Sequence, residues 1–276
     1  MQLIIMAGGL GSRFGGLKQL QPINKHGETI IDLSISDAIK AGFEEVVFVI
    51  NPKDKPSFEK TIFSRLAGKI PYTLAFQTPP LTSPKNRAKP WGTAHALFSA
   101  FPYITQDFAV VNADDYYGSD AFKKAAFLLQ RIDNAHGGLI AYKLKNTFSG
   151  SGKYKRGICK TENGLLKAIE ECEVQKIKGK FEGISLVTNK KEVYSGNEQT
   201  SMNFWCFSKD IKPLFTAEFE KQYALTLTTN PQTGEVFLPS VIESLITKHN
   251  LFIKVLTSND KTLGLTYKED LKLFFN

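Results

Sequence analysis

Cysteine is scarce in this 276-residue chain: Cys159, Cys172 and Cys206 are its only three, and no two stand at the spacing of a C-x2-C metal pair. An odd number also argues against a disulfide framework, so the composition points to a reducing compartment. Long apolar runs are absent too. Nothing approaches the roughly 18 consecutive apolar residues of a membrane-spanning helix, and no charged segment leads into an apolar one at the start. A soluble, cytosolic protein without a membrane partner is expected. The net charge of +8, from 35 Lys and Arg against 27 Asp and Glu, comes without a Cys/His finger spacing, an RNP-like aromatic motif or a continuous basic helix. The cations are spread along the chain, which favours small anionic substrates over nucleic acid. No internal repeat or low-complexity linker divides the sequence, so one domain over 1–276 is expected.

What is present begins with Leu3-Ile4-Ile5-Met6, which reads as a strand buried on both faces. Thr29 to Ala41 has helical periodicity and stops at Gly42, and Val46 to Ile50 reads as a second buried strand. Further strands are expected at Tyr72 to Phe76, Phe108 to Asn112 and Leu139 to Leu144, with helices at Ser57 to Leu66, Thr93 to Ala100 and Asp120 to Ile132. Such alternation implies a mainly parallel sheet covered on both faces. Beyond about residue 145 the pattern turns to short strands, Ile158 to Thr161, Leu165 to Glu170 and Met202 to Phe207, joined by Gly-, Asn- and Lys-rich connectors. A mixed or antiparallel extension is expected there, then a helix at Glu235 to Lys248, a strand at Phe252 to Leu256 and a terminal helix at Lys268 to Phe275.

The first strand runs straight into Ala7-Gly8-Gly9-Leu10-Gly11-Ser12-Arg13-Phe14-Gly15-Gly16-Leu17-Lys18, five glycines, one Arg and one Lys in twelve residues. Glycine lets backbone N–H groups approach phosphates closely. A Walker A loop would end in Gly-Lys-Ser/Thr, whereas Gly16-Leu17-Lys18-Gln19 stands in that place. A dinucleotide fingerprint starting at Gly9 would need glycine where Phe14 stands and an acidic residue after the second strand, where Asn51 and Pro52 stand.

The string resembles the signature loop of the NDP-sugar pyrophosphorylases, the sugar-1-phosphate nucleotidylyltransferases: A-G-G-x-G-x-R, a Lys-containing stretch, then x-P-I/V, here Pro22-Ile23. The resemblance implies that Arg13 holds the β and γ phosphates of an NTP, that Lys18 meets phosphate around the reacting centre, and that Ala7, Gly8, Gly9 and Gly11 lie against the nucleotide. Pro90-Trp91-Gly92-Thr93-Ala94-His95-Ala96 is similar to the family's G-T-A-x-A segment, which places Gly92 and Thr93 against the nucleoside, and Gln77 falls where the family reads the base. Val110 to Asp115 is similar to a strand-ending G-D whose Asp, here Asp114, binds Mg²⁺. Asp115 either reaches that metal through water or starts the turn to Tyr116. Trp91 either lines the nucleotide pocket or packs in the core, and His95 is read as structural.

In the second half, Arg156-Gly157-Ile158-Cys159, Ala168-Ile169-Glu170-Glu171 and Ser201-Met202-Asn203-Phe204-Trp205 resemble in order the family's acceptor segments, so Gly157, Glu170 and Asn203 are expected to touch the acceptor. Glu171 stands where the family has Lys, Cys172 where it has Pro, and Leu263 where a second metal-binding Asp falls, with Asp260 and Asp270 as possible substitutes. The whole pattern resembles a bacterial branch of the family. It implies an α/β fold, a single GT-A-like (Rossmann-like) nucleotidyltransferase domain with a mainly parallel sheet, residues 1–145 holding the nucleotide and 146–276 the acceptor. The implied partners are an NTP, Mg²⁺ and a sugar 1-phosphate or other phosphorylated small molecule. A cytidylyltransferase acting on an alcohol phosphate such as phosphocholine is the runner-up, and a non-catalytic nucleotide sensor is a third reading.

Overall fold

In the computed structural model, which describes residues 1–9, 16–87, 89–133, 135–148 and 152–265 together with 270, 271 and 274, the apolar runs form strands and the periodic segments form helices. β1 (Gln2–Met6) is followed by α1 (Ile30–Lys40), β2 (Glu45–Ile50), the short helices α2 (Lys55–Phe58) and α3 (Ser64–Leu66), and β3 (Tyr72–Phe76). Next come α4 (Thr93–Ala100), β4 (Phe108–Asn112), the two-residue β5 (Asp115–Tyr116) and α5 (Ser119–Leu129). The remainder runs β6 (His136–Lys143), β7 (Lys153–Glu162), β8 (Leu165–Ile177), β9 (Lys180–Ser185), β10 (Lys191–Tyr194) and β11 (Gln199–Phe207). It ends with α6 (Lys212–Thr229), α7 (Leu238–His249), β12 (Phe252–Ser258) and the short β13 (Leu263–Gly264).

The helix expected at Ser57 to Leu66 is broken by a π-helical turn, Glu59–Phe63, whose extra residue per turn allows Phe58, Ile62, Phe63 and Leu66 all to be buried. The helix expected from Glu235 starts instead at Leu238, because Pro239 sits in its first turn and Phe237 is extended. That leaves 235–237 free to reach the site described below. α6 has no counterpart among the expected elements. Its apolar residues are not gathered on one stripe, and the residues it buries are Phe215, Glu218 and Phe219. The terminal helix expected at Lys268 to Phe275 lies outside the described residues apart from 270, 271 and 274.

Eleven strands among the described residues form one sheet in the order β10-β9-β8-β12-β6-β11-β4-β1-β2-β3, with β7 pairing both β8 and β11. β3, β2, β1 and β4 are parallel neighbours, as is the pair β12 and β6. The other ladders are antiparallel, so the sheet is mixed rather than mainly parallel. Two-residue turns at Asn163-Gly164 and Lys178-Gly179 close the hairpins β7–β8 and β8–β9, and such turns permit only antiparallel neighbours. Helices cover both faces of the parallel segment. Leu3 and Ile5 of β1 join a core with Ile31, Ile35, Phe58 and Phe122, while Ile4 and Met6 join one with Leu97, Phe215 and Leu245.

Candidate active site

Two cavities open where the carboxyl ends of β1, β3 and β4 meet β7, β8 and β11, and they share Asn112, Asp114 and Asn203. The position follows from the parallel segment, since open α/β sheets collect ligand chemistry at the carboxyl ends of their strands. The smaller cavity, of about 380 Å³, gathers Gly8, Gly9, Gln77, Gly92 and Thr93. Gln77 Nε2 donates to the Gly92 carbonyl at 3.1 Å and lies 3.4 Å from His95 Nδ1. A Cβ on residue 8 would overlap the side-chain Oε1 of Gln77, so a larger residue there would have to move the Gln77 amide from its place. The Thr93 hydroxyl accepts from the Leu238 amide at 2.8 Å. Glu235 and Phe237 line this cavity as well, and so the expected division of the chain into two halves is crossed.

The larger cavity, of about 460 Å³, is lined by Lys18, Asp114, Asp115, Lys155, Arg156, Gly157, Glu171 and Asn203, among others. Lys18 Nζ forms an ion pair with Asp114 Oδ2 at its floor. Asp115 is held by Asn112 Nδ2 at 3.0 Å, and burial together with the neighbouring Asp114 charge pushes its carboxyl up to about 6. The Asp114–Asp115 turn is fixed by Tyr117, whose buried hydroxyl accepts from the Asn112 amide at 3.0 Å and donates to the Met202 carbonyl at 2.8 Å. That second bond ties the turn to β11, where the ladder to β6 slips between Ser201 and Phe204 and leaves Met202 and Asn203 as extra residues. Asn203 takes the left-handed backbone conformation, with φ of 61°. The bulge turns Asn203 into the wall that the two cavities share.

Of the residues singled out in the sequence, Gly8, Gly9, Lys18, Gln77, Gly92, Thr93, Asp114, Gly157 and Asn203 come together here. Arg13 and Gly11 lie outside the described residues. Ala7 lines neither cavity, because its amide donates to Val49 and its carbonyl accepts from buried Gln19 Nε2 at 3.0 Å. Glu170 also lines neither cavity. It pairs with Lys160 at 3.1 Å outside both cavities, and Glu171 takes the place beside Gly157. The cause is a slip in the β7–β8 hairpin. Its first pairs, Glu162 with Leu165 and Thr161 with Leu166, would continue to Gly157 with Glu170, but an extra β8 residue, Lys167, facing the step from Thr161 to Lys160 sets Gly157 opposite Glu171. A side chain on residue 157 would fall 2.7 Å from Ile169 and 3.1 Å from the Glu171 carboxylate.

Asp260, a possible substitute ligand, instead accepts from the Asp120 amide at 2.7 Å and caps α5, and neither it nor Asp270 lines either of the two cavities. Leu263 pairs with Tyr116 and Gly264 with Asp115, so β13 passes directly beside the two carboxylates without adding a third. Among the described residues no cluster of three or more His, Cys, Asp or Glu side chains could hold a metal. Trp91 packs in the core, its indole donating to Ser83 Oγ at 2.6 Å beneath the Arg87 guanidinium. His95 is buried between Gln77 and the Phe219 ring, and burial, with the Arg87 charge, lowers its imidazole from 6.5 to about 4.

A family model described as nucleotidyl transferase matches residues 2–152, from the first strand through the glycine loop, both nucleotide-side segments and the Asp114–Asp115 turn. The chain belongs to the nucleotidyl transferase family. Solved structures extend the likeness in fold to the whole of this nucleotidyl transferase. An inositol-1-phosphate CTP transferase from T. maritima is similar with a TM-score of 0.66 at 15% identity, over 99% of this chain and 93% of the other. A protein assigned as a glucose-1-phosphate thymidylyltransferase from Bacillus anthracis, solved with sucrose, is similar with a TM-score of 0.67 at 14% identity, over 99% and 93%. No curated protein matches. Among the described residues no helix of this family member is long and apolar enough to cross a membrane.

Three contributors to the site carry no signal in the sequence: Gln19, Tyr117 and Glu171. The first two act through buried hydrogen bonds, Gln19 to the Ala7 carbonyl and Tyr117 to the Met202 carbonyl, for which no local motif exists. Glu171 is hidden by the register slip.

Proposed function

We propose that this chain joins a nucleoside triphosphate to a sugar 1-phosphate, giving an NDP-sugar and pyrophosphate, within a GT-A-like fold and in the cytosol. The observation that carries the reading is the shared wall: two cavities of similar volume, about 380 and 460 Å³, meet at Asp114 and Asn203 with Lys18 beside them. One suits a nucleoside and the other a phosphorylated acceptor. In the reaction an acceptor phosphate oxygen attacks the α-phosphorus, the new P–O bond forms, and the bond to the β-phosphate bridging oxygen breaks as pyrophosphate leaves. A phosphate monoester is already ionised near neutral pH, so the protein's task is to orient two anions and offset their repulsion. Gln77 and Gly8 shape the base end, Lys18 faces the reacting phosphates, Asn203 holds the junction, and Arg13 steadies the pyrophosphate.

The carboxylates fit a divalent ion. Asp115 is buried with one hydrogen bond from Asn112, adjacent to Asp114, and a cation would offset both the burial and the Asp114 repulsion that raise it. Asp114 and Asp115 would hold Mg²⁺, with water and substrate phosphate completing an oxygen shell, and the ion would neutralise phosphate charge.

The test is a panel of four NTPs against several sugar 1-phosphates, inositol 1-phosphate and phosphocholine, with Mg²⁺ present and pyrophosphate release as the readout. Release with a sugar 1-phosphate supports the proposal. Release with CTP and an alcohol phosphate alone would replace it with a cytidylyltransferase, and NTP binding without any release would make the chain a sensor.

A further inference from the structure

We propose that Lys155 binds the phosphate of the acceptor, an inference that rests on the nucleotidyl-transfer reading above. Four cations line the larger cavity among the described residues: Lys18, Lys153, Lys155 and Arg156. Three of them are committed. Lys18 pairs with Asp114, and Lys153 with Glu173 at 2.9 Å. Arg156 spends Nε on the Thr147 hydroxyl at 3.0 Å and its two Nη groups on the Thr147 and Lys155 carbonyls, with its guanidinium 4.9 Å from the centre of the Tyr154 ring. Lys155 is exposed, and its ammonium makes neither a hydrogen bond nor an ion pair among the described residues.

The strand register explains why this one cation is left over. Lys155 stands directly opposite Glu173 and Gly157 opposite Glu171, so all four share the cavity face of the β7–β8 ladder. Glu173 is taken by Lys153, and the side chain of Glu171, the remaining carboxylate on that face, accepts no hydrogen bond among the described residues. Burial raises the Glu171 carboxyl, with Lys155 and Arg156 acting against that rise. An ammonium and a carboxylate, near enough to feel each other's charge but neither hydrogen-bonded among the described residues, thus flank one polar hollow. A phosphate dianion matches the first, since an ammonium offers three donors and a compact charge, and the hydroxyls of a polyol or sugar match the second. Lys155 would hold the attacking acceptor phosphate from the β7 side, while Lys18 and Asp114 would meet the α-phosphate that it attacks.

The experiment compares the wild type with Lys155→Met and Lys155→Arg in steady state, varying NTP and whichever of glucose 1-phosphate or inositol 1-phosphate the wild type turns over. Loss of one charge-assisted contact should raise the acceptor KM in Lys155→Met about tenfold or more while the NTP KM stays within about twofold. Lys155→Arg should recover most of the loss. Inorganic phosphate should compete with the acceptor in the wild type and about tenfold more weakly in Lys155→Met. An unchanged acceptor KM in a folded Lys155→Met, or equal damage to both KM values, overturns the inference and leaves the proposed function standing. A wild type that releases no pyrophosphate overturns the function instead, and calorimetric titration with inorganic phosphate then decides Lys155 alone: equal binding by wild type and variant overturns it. Lys155→Gln replaces the Met variant should that one fail to fold.

Discussion

Lys18 reaches Asp114 because its neighbour is anchored: the buried Gln19 amide donates to the Ala7 carbonyl at 3.0 Å and pins the returning end of the glycine loop to the end of β1. Both partners of the ion pair keep some exposure, 23% and 30%, so the contact has little to do with holding the fold. Lys18→Met should therefore unfold at nearly the wild-type temperature yet release pyrophosphate about 10²–10³ times more slowly, the effect of removing a charge aimed at the reacting phosphates. Turnover within about threefold of the wild type would reject that role. His95 behaves in the opposite way. Its folded-state value, about 4, lies below the ordinary 6.5, so the folded chain binds fewer protons at this site than the unfolded one. The stability it lends is complete above pH 6.5 and is lost as the pH falls toward 4. Between pH 7.5 and 5 the wild type should lose about 2 kcal/mol more than His95→Gln in urea unfolding, since each tenfold difference in proton affinity between the two states is worth about 1.4 kcal/mol. Equal losses would mean that the imidazole is not held neutral by burial.

At the scale of elements the decisive device is the bulge in β11. Asn203 with φ of 61° suits asparagine and glycine, and a β-branched residue there is strained. Asn203→Gly should stay within about 1 kcal/mol of the wild type but weaken both substrates, because the side chain borders both cavities. Asn203→Val should lose about 1–2 kcal/mol of stability in addition. Thermal unfolding of the two variants checks this, and a Val variant as stable as the Gly variant would remove strain from the account. The same scale shows what the sequence could and could not disclose. Gly8, Gln77 and Asp114 were legible because each stands just past a mostly apolar parallel strand, whose ends converge by construction, and Gly92 because it opens α4 beside them. Glu171 was not, since one extra residue in β8, Lys167, inverts which face each later β8 side chain takes. Nor was α6, whose buried Glu218 is held by Gln222 at 3.1 Å and Lys248 at 3.3 Å and interrupts the apolar period. The swap of Asp260 from ligand to helix cap depends on a contact across the fold that no local pattern encodes.

For the molecule as a whole, two hollows with a common partition of Asn112, Asp114 and Asn203 have a kinetic consequence. Under the proposed function a completed NDP-sugar would lie across that partition, with its nucleoside on one side and its sugar on the other, and would deny entry to both incoming reactants at once. Pyrophosphate, by contrast, would overlap only the triphosphate tail. Product-inhibition patterns should therefore be lopsided: the NDP-sugar competitive against NTP and against sugar 1-phosphate, pyrophosphate competitive against NTP alone. If the NDP-sugar proved noncompetitive toward either reactant, the two hollows would be working as separate rooms, and the chain would release its product by a route that leaves one of them open.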